Sequence, residues 1–319
     1  MSSPRTVLMF SGQGSHYFQM GRELFENNRV FRDWMMRLNE RAEALLNQSV
    51  LDAIYSGGKT TNFDRTLLTH PAIFMIEYSL AQCLLESGVM PHLLLGTSLG
   101  SFAAAAVAGC IEVDDAMRAV VKQAIAFESC CTPGGMISVL ADPALFAEDF
   151  LSRHSELAAI NFDSHFTVAA RDRDVSEIEI ELRKRGVTHQ RLAVSFAFHS
   201  KWIDEARGPF ESFMRSMPYT PARLPLACCE QAALLSAIPR DFFWRVVRKP
   251  IRLRETVAML ERSGVHRYVD VGPAGTMATF TKYCLPAGSL STTHAILTPY
   301  GRDVGNLSAA LSAINGVRS

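Results

Sequence analysis

The sequence predicts an α/β protein in which a parallel-sheet domain is interrupted by a smaller insert. Three observations predict it. Apolar runs ending in glycine-rich turns recur at residues 6–10, 91–95 and 267–271, which is the pattern of strands buried on both faces of a parallel sheet. Between them lie long segments with apolar residues at helical spacing. From residue 128 to 197 the texture changes to short alternating segments, in an order close to a ferredoxin-like β-α-β-β-α-β unit but one strand short. The expected division is therefore 1–127 with 198–319 for the larger part and 128–197 for the insert.

The elements follow in order. Thr6-Val7-Leu8-Met9-Phe10 reads as a buried strand entering the loop Ser11-Gly12-Gln13-Gly14-Ser15. Residues 18–53 carry helical spacing, and residues 56–62 form a turn. A second helix is expected over 69–86, with Thr69 as N-cap and Pro71 in its first turn. Residues 91–95 are a strand, Gly96-Thr97-Ser98-Leu99-Gly100 a sharp turn, and the Ala-rich stretch to Ala108 a helix. Another helix runs from 114 to 127 and breaks at Pro133-Gly134-Gly135. The insert offers strands at 136–140, 166–169 and 190–194, with helices at 143–151 and 175–184; the charges of residues 172–185 mark a solvated helix face. Helical texture returns after His199, followed by strands at 225–228 and 267–271 and a helix over 276–284.

Composition excludes several function classes. Of the 319 residues, 48% are hydrophobic and 20% charged, as in an ordinary globular protein. Lys+Arg 32 balances Asp+Glu 32, so there is no basic footprint for nucleic acid. The longest apolar stretch, residues 102–108, is too short to span a membrane. Seven cysteines show no CxxC spacing, so no zinc site or other metal is expected, and with no secretory signal they read as reduced thiols of a cytoplasmic protein.

Gly96-Thr97-Ser98-Leu99-Gly100 fits the G-x-S-x-G nucleophile elbow, in the strand-turn-helix setting that motif requires. A serine hydroxyl needs a base within hydrogen-bond reach. Among nine histidines, His199 stands out because it ends the strand-like run 192–198, although a structural histidine fits that evidence as well. Acyl transfer also needs N–H donors for the oxyanion. Leu99 and Gln13 are placed to supply them, and the Gly12-Gln13-Gly14 loop lacks the complete patterns of nucleotide-binding loops.

Taken together these motifs resemble the malonyl-transferase-like acyltransferase family of fatty-acid and polyketide synthesis. The resemblance runs through residues 10–15, Thr69-His70-Pro71-Ala72, the elbow, residues 194–200, Pro250-Ile251-Arg252-Leu253 and Asp270-Val271-Gly272-Pro273-Ala274-Gly275. It implies an α/β-hydrolase-like large subdomain with an inserted ferredoxin-like small one. It also implies Ser98 as nucleophile, His199 as base, and the Gln13 and Leu99 N–H groups as oxyanion hole. In the family the histidine is oriented by backbone carbonyls, so no third carboxylate is expected.

Departures from the family pattern concern the substrate. Malonyl-type members carry an arginine that clamps the substrate carboxylate where this chain has Gln123. Glutamine cannot form that charged fork, and a carboxylate left without it loses about 3 kcal/mol, roughly a hundredfold in binding. Thr97 replaces a histidine and Ser101 a glutamate beside the nucleophile. Phe196 begins the specificity motif Phe196-Ala197-Phe198-His199, and Phe127 stands for a methionine. A neutral, apolar acyl chamber is expected, with Gln123, Phe196, Phe198 and Thr97 at the substrate. His70, where the family usually has glutamine, either lines the pocket or sits on a helix face.

The resemblance is nearest to free-standing members that remove stalled acyl groups from acyl carrier proteins. An acyl hydrolase of acetyl and other short acyl thioesters is the leading expectation. A trans-acting acyltransferase and a non-catalytic docking partner of a synthase remain as alternatives. No bound cofactor is expected, the phosphopantetheine arm being part of the substrate. The basic stretch Arg245, Arg248, Lys249, Arg252 and Arg254 is a candidate contact for an acidic carrier protein, or an ordinary solvated face.

Overall fold

The structure, a computed structural model, describes residues 3–56 and 63–316. Most of the turn expected at 56–62 therefore lies outside the described residues. The strands are β1 (Arg5–Phe10), β2 (Leu93–Gly96), β3 (Gly134–Val139), β4 (Glu156–Phe162), β5 (His165–Arg171), β6 (His189–Arg191), β7 (Leu226–Cys228), β8 (Ala233–Leu235), β9 (Ile251–Arg252), β10 (His266–Asp270) and β11 (Thr292–Ala295). They form two sheets, so the mixed α/β class holds.

The larger sheet has the order β11-β10-β1-β2-β7-β8, parallel throughout except for the antiparallel edge strand β8. Alternate residues of β1 serve opposite faces, as the strand period dictates. Leu8 and Phe10 join Leu94 in a core shared with the helices Arg29–Leu46, Thr66–Glu86, Gly100–Val107 and Val113–Cys130. Val7 and Met9 join Leu93 and Leu95 against the helices Leu253–Glu261 and Thr276–Cys284. Helices on both faces explain why β1 and β2 read as continuous apolar runs.

The helix carrying Pro71 begins at Thr66, three residues earlier than Thr69 and its N-cap role predicted. The reason is a cap supplied from another helix. Glu128, at the end of Val113–Cys130, accepts the Leu67 N–H at 2.9 Å and pairs with Arg65. Thr69 instead donates its hydroxyl to the Arg65 carbonyl and accepts from Gln13. Sixteen of the 21 residues in this helix are buried, including Thr66, Thr69, His70, Glu77 and Ser79.

The smaller sheet has the order β6-β3-β5-β4-β9. Its first four strands pair antiparallel and, with their helices, complete the ferredoxin-like unit. The strand missing from the sequence reading is β4. Its Glu-Leu-Ala-Ala-Ile-Asn-Phe neither alternates nor runs apolar, and its pairing with β5 shifts register twice. Gly134 and Gly135 open β3 rather than mark a break, because a Cβ at Gly134 would lie 2.8 Å from the Ala170 carbonyl. The strand β9 comes from beyond the insert and pairs parallel with β4. In the helix Asp172–Lys184, Val175, Ile178 and Leu182 are buried beneath the charged face. All seven cysteines are free thiols. Among the described residues, no helix is long and apolar enough to cross a membrane.

Candidate active site

Adjacent parallel strands bring two turns together. Phe10 of β1 lies beside Gly96 of β2, so the loops that follow them meet at the carboxyl end of the sheet. Thr97 ties them through its N–H and its hydroxyl, both donated to the Phe10 carbonyl at 3.0 and 3.2 Å. Ser98 then adopts φ 50°, and the helix Gly100–Val107 starts two residues later. Both flanking glycines are forced. A Cβ at Gly100 would lie 2.2 Å from the Ser11 carbonyl, and one at Gly96 would lie 2.6 Å from the Ser101 Cα. The strained turn projects the hydroxyl above the sheet.

The structure brings His199 to that hydroxyl. Its Nε2 lies 2.8 Å from Ser98 Oγ and its Nδ1 lies 2.7 Å from the Lys249 carbonyl. A carbonyl only accepts, so Nδ1 carries the proton and Nε2 is left to accept from Ser98. The backbone is pinned too: His199, at φ 61°, donates its N–H to the Val247 carbonyl at 2.9 Å. Burial pushes the imidazole pKa down to about 4, against the Lys249 carbonyl and with Arg248 adding to the depression. The ring is therefore neutral near pH 7, the state a base needs. Its orientation comes from a backbone carbonyl.

Among the described residues, no hydrogen bond claims the N–H of Gln13 or of Leu99. The Gln13 side chain is anchored by donation to Thr69 Oγ1 at 2.7 Å. Beneath this loop sits a carboxyl group that the sequence reading missed. Glu77 is fully buried and accepts both the Ser11 N–H at 2.5 Å and the Ser11 hydroxyl at 2.9 Å. Burial raises its pKa well above the ordinary carboxylate range. The available signal was a lone acid inside the apolar run from Ala72 to Ala81. Buried Asp270 accepts N–H groups of Gly272 and Ala278 at the start of the helix Thr276–Cys284, with its pKa raised by burial to about 7.

Ser98 and His199 open onto a cleft between the two sheets. Its walls include Gln13 and Thr97 on one side, Leu192, Phe198 and Ile251 along it, and Met277 and Phe280 from the helix after β10. The smaller sheet contributes a polar wall that the sequence reading also missed, from Ser138, Asn161, His165 and Thr167. Pairs two apart in a strand share a face, as in Met136/Ser138 and His165/Thr167. The Asn161 amide lies 2.9 Å from His165 Nδ1, and His165 Nε2 lies 2.7 Å from Ser138 Oγ.

Two residues expected at the substrate stand elsewhere. Gln123 and Phe196 are not among the cleft walls. Gln123 is fully buried and donates its amide to the Phe243 carbonyl at 3.3 Å. Packed aromatic rings separate it from the cleft: Phe127 lies 5.2 Å from Phe198 and 6.3 Å from Phe196, and His70 lies 5.5 Å from Phe198. The space around Gln123, where a neutral, apolar acyl chamber was expected, is thus filled with side chains, and of Phe127, Phe196 and Phe198 it is Phe198 that lines the cleft with Ser98. His70 is buried among these rings, not on an exposed helix face. The basic stretch is largely neutralised: Arg245 pairs with Glu230, Arg248 with Asp204 and Glu156, Arg252 with Glu255, and Arg254 with Asp163.

An elbow serine, a carbonyl-held histidine and a two-sheet cleft agree with what the comparisons with known proteins find. The acyl transferase domain family matches residues 7–317. The chain belongs to this family. Among curated members it is 41% identical over 304 residues to the polyketide biosynthesis acyltransferase homolog BaeD of Bacillus velezensis, covering 94% of each chain. It is 39% identical to the homolog PksD of Bacillus subtilis, again over 94% of each. Among solved structures, the acyl transferase domain of SpnD in complex with 2-(pent-4-yn-1-yl)malonyl superposes with a TM-score of 0.90 at 25% identity, over 99% of this chain and 77% of that one.

Proposed function

We propose that this protein is an acyl hydrolase that removes acetyl and other short or stalled acyl groups from acyl carrier proteins in polyketide synthesis. One observation carries the reading: no Lys or Arg is among the described residues lining the cleft, and the position of the family's carboxylate clamp is the neutral, buried Gln123. A malonyl carboxylate would enter without a charge partner. A neutral acyl group would not need one.

The chemistry runs through an acyl-serine. Ser98 Oγ attacks the thioester carbonyl as its proton passes to His199 Nε2, and the oxyanion is held by the Gln13 and Leu99 N–H groups. Collapse breaks the C–S bond, and His199 returns the proton to the leaving pantetheine thiol. Water then attacks the Ser98 ester with His199 again as base. The acid leaves and the Ser98 hydroxyl is restored. The pantetheine arm belongs to the substrate, and no step calls for a metal or resident cofactor.

Purified protein incubated with acetyl- and malonyl-loaded carrier protein, followed by mass, tests this. Release of acetyl should outpace any reaction of malonyl; faster malonyl transfer would sink it. Membership of the acyl transferase domain family favours a second reading, passage of the acyl group to another thiol. Single-turnover partitioning of the Ser98 ester with and without free holo carrier protein separates the two. A non-catalytic docking role predicts no labelling of Ser98 by a fluorophosphonate.

A further inference from the structure

One fully buried acid has no part in the chemistry above. Glu77 accepts the N–H and the hydroxyl of Ser11, the first residue after β1. A buried carboxyl group is costly compared with an apolar side chain of similar size, so its contacts call for a reason.

Those contacts lead to the loop beside the nucleophile. Ser11, Gly12, Gln13 and Ser15 all line the cleft with Ser98. The Ser11 hydroxyl lies 2.9 Å from the Ser15 hydroxyl, and Ser15 donates its own to the Gly12 carbonyl at 2.8 Å. The Gly12 carbonyl and the Gln13 N–H belong to one peptide unit, planar and trans, so they point in opposite directions. Fixing the carbonyl therefore fixes the line of the N–H. That N–H is one of the two at this site that no hydrogen bond claims among the described residues. A bond accepted by the carbonyl also polarises the N–H across the same peptide and strengthens it as a donor.

The same helix holds the other end of the loop. Thr69, eight residues before Glu77 and about two turns away, accepts the Gln13 side-chain amide at 2.7 Å. One rigid element thus braces the loop at Ser11 and at Gln13. Little slack remains on its inner side, where a Cβ at Gly12 would lie 3.0 Å from the Ser98 Cβ. An oxyanion donor must stand about 2.7–3.1 Å from the oxygen it stabilises, so a small shift of this peptide matters.

We infer that Glu77 is a positioning residue, acting through Ser11 and Ser15 to aim the Gln13 N–H at the oxyanion that forms when Ser98 is acylated. The inference deepens the proposed function and rests on its acyl-serine. Its step is acylation, which precedes discharge to water or to a thiol.

The test is single-turnover release of pantetheine from acetyl-pantetheine, with the full chain in excess and the released thiol followed by mass. Under excess protein an unfolded fraction does not lower the limiting rate, so general damage and lost positioning separate. Glu77→Leu and Ser15→Ala should each lower that rate by about tenfold or more, short of the roughly hundredfold or greater loss of removing an oxyanion donor outright. The half-saturating concentration of folded protein should stay within about twofold of the natural chain's. Glu77→Gln, which keeps an acceptor oxygen, should recover the rate to within about threefold. If Glu77→Leu does not fold, Ser15→Ala decides alone. Limiting rates within about twofold of the natural chain, a loss confined to half-saturation, or a Glu77→Gln as slow as Glu77→Leu overturns the inference. Failure of the hydrolase reading shows separately, as an acyl-Ser98 that persists or leaves only to a thiol.

Discussion

The two sides of Phe198 differ in how fully their polar groups are paired. On the side of Ser98, the hydroxyl, both nitrogens of His199 and the Ser11 hydroxyl are engaged, one by the Lys249 carbonyl and the rest by side chains, and Gln13 Oε1 and Glu77 Oε2 are without partners. On the far side, His70, Gln123 and Thr66 carry atoms without partners in an equally buried setting. The difference teaches that the turn carrying Ser98 is held by specific partners, whereas the helices behind Phe198 meet mainly through packed rings. Backbone carbonyls and forced glycines fix a geometry that side-chain drift cannot easily alter. On the far side Gln123 donates to the Phe243 carbonyl, and the remaining packing is between aromatic side chains.

Substitutions on the two sides should therefore fail differently. Ser98→Ala should lower turnover by about 10⁴-fold or more while leaving the fold and carrier binding intact, as measured by steady-state release and by a pull-down. Glu77→Leu is next: it strands two Ser11 donors at about 1–3 kcal/mol each and should reduce kcat more than it raises KM. Glu77→Gln, which keeps an acceptor oxygen, should recover most of both.

The far side should respond with the opposite sign. His70→Phe removes two orphan nitrogens from an aromatic nest and should stabilise the fold by about 1 kcal/mol in denaturant melts. A loss of stability there would break the comparison.

The pH dependence gives a finer test. The acid limb of kcat/KM should fall near pH 4, where His199 gains its proton, instead of near 6.5. Stability carries the same sign. Because His16, His70 and His199 have pKa values lowered to about 4, 3 and 4, the unfolded chain binds protons below 6.5 that the native state refuses. Stability then drops as pH falls. Asp270 acts oppositely, since its raised pKa gives a contribution lost as pH rises through about 7. His70→Phe should make the acid slope shallower.

Much of this was legible in the chain. Strand β1, strand β2 and the elbow follow from apolar runs and glycine spacing, because each depends on local backbone geometry, whereas the pairing of Ser98 with His199, 101 residues apart, was legible only through the family motifs. What escaped depended on distant partners. The start of the Thr66 helix is set by Glu128, and β4 holds its place through pairing on both sides despite an unpromising composition. Glu77 looked like a stray acid because its partner, Ser11, is 66 residues away. The position of Gln123 was read correctly as neutral, but its burial behind Phe198 reflects how rings from three segments pack.

The short strand β9 has a mechanical meaning. Lys249, whose carbonyl holds His199 Nδ1, is followed two residues later by Ile251, which lines the cleft and pairs with Ala159 of β4. The carbonyl that holds the imidazole thus stands two residues from the sheet that forms the opposite wall. The segment that orients the His199 ring is therefore the one that carries the edge strand of the smaller sheet along the cleft.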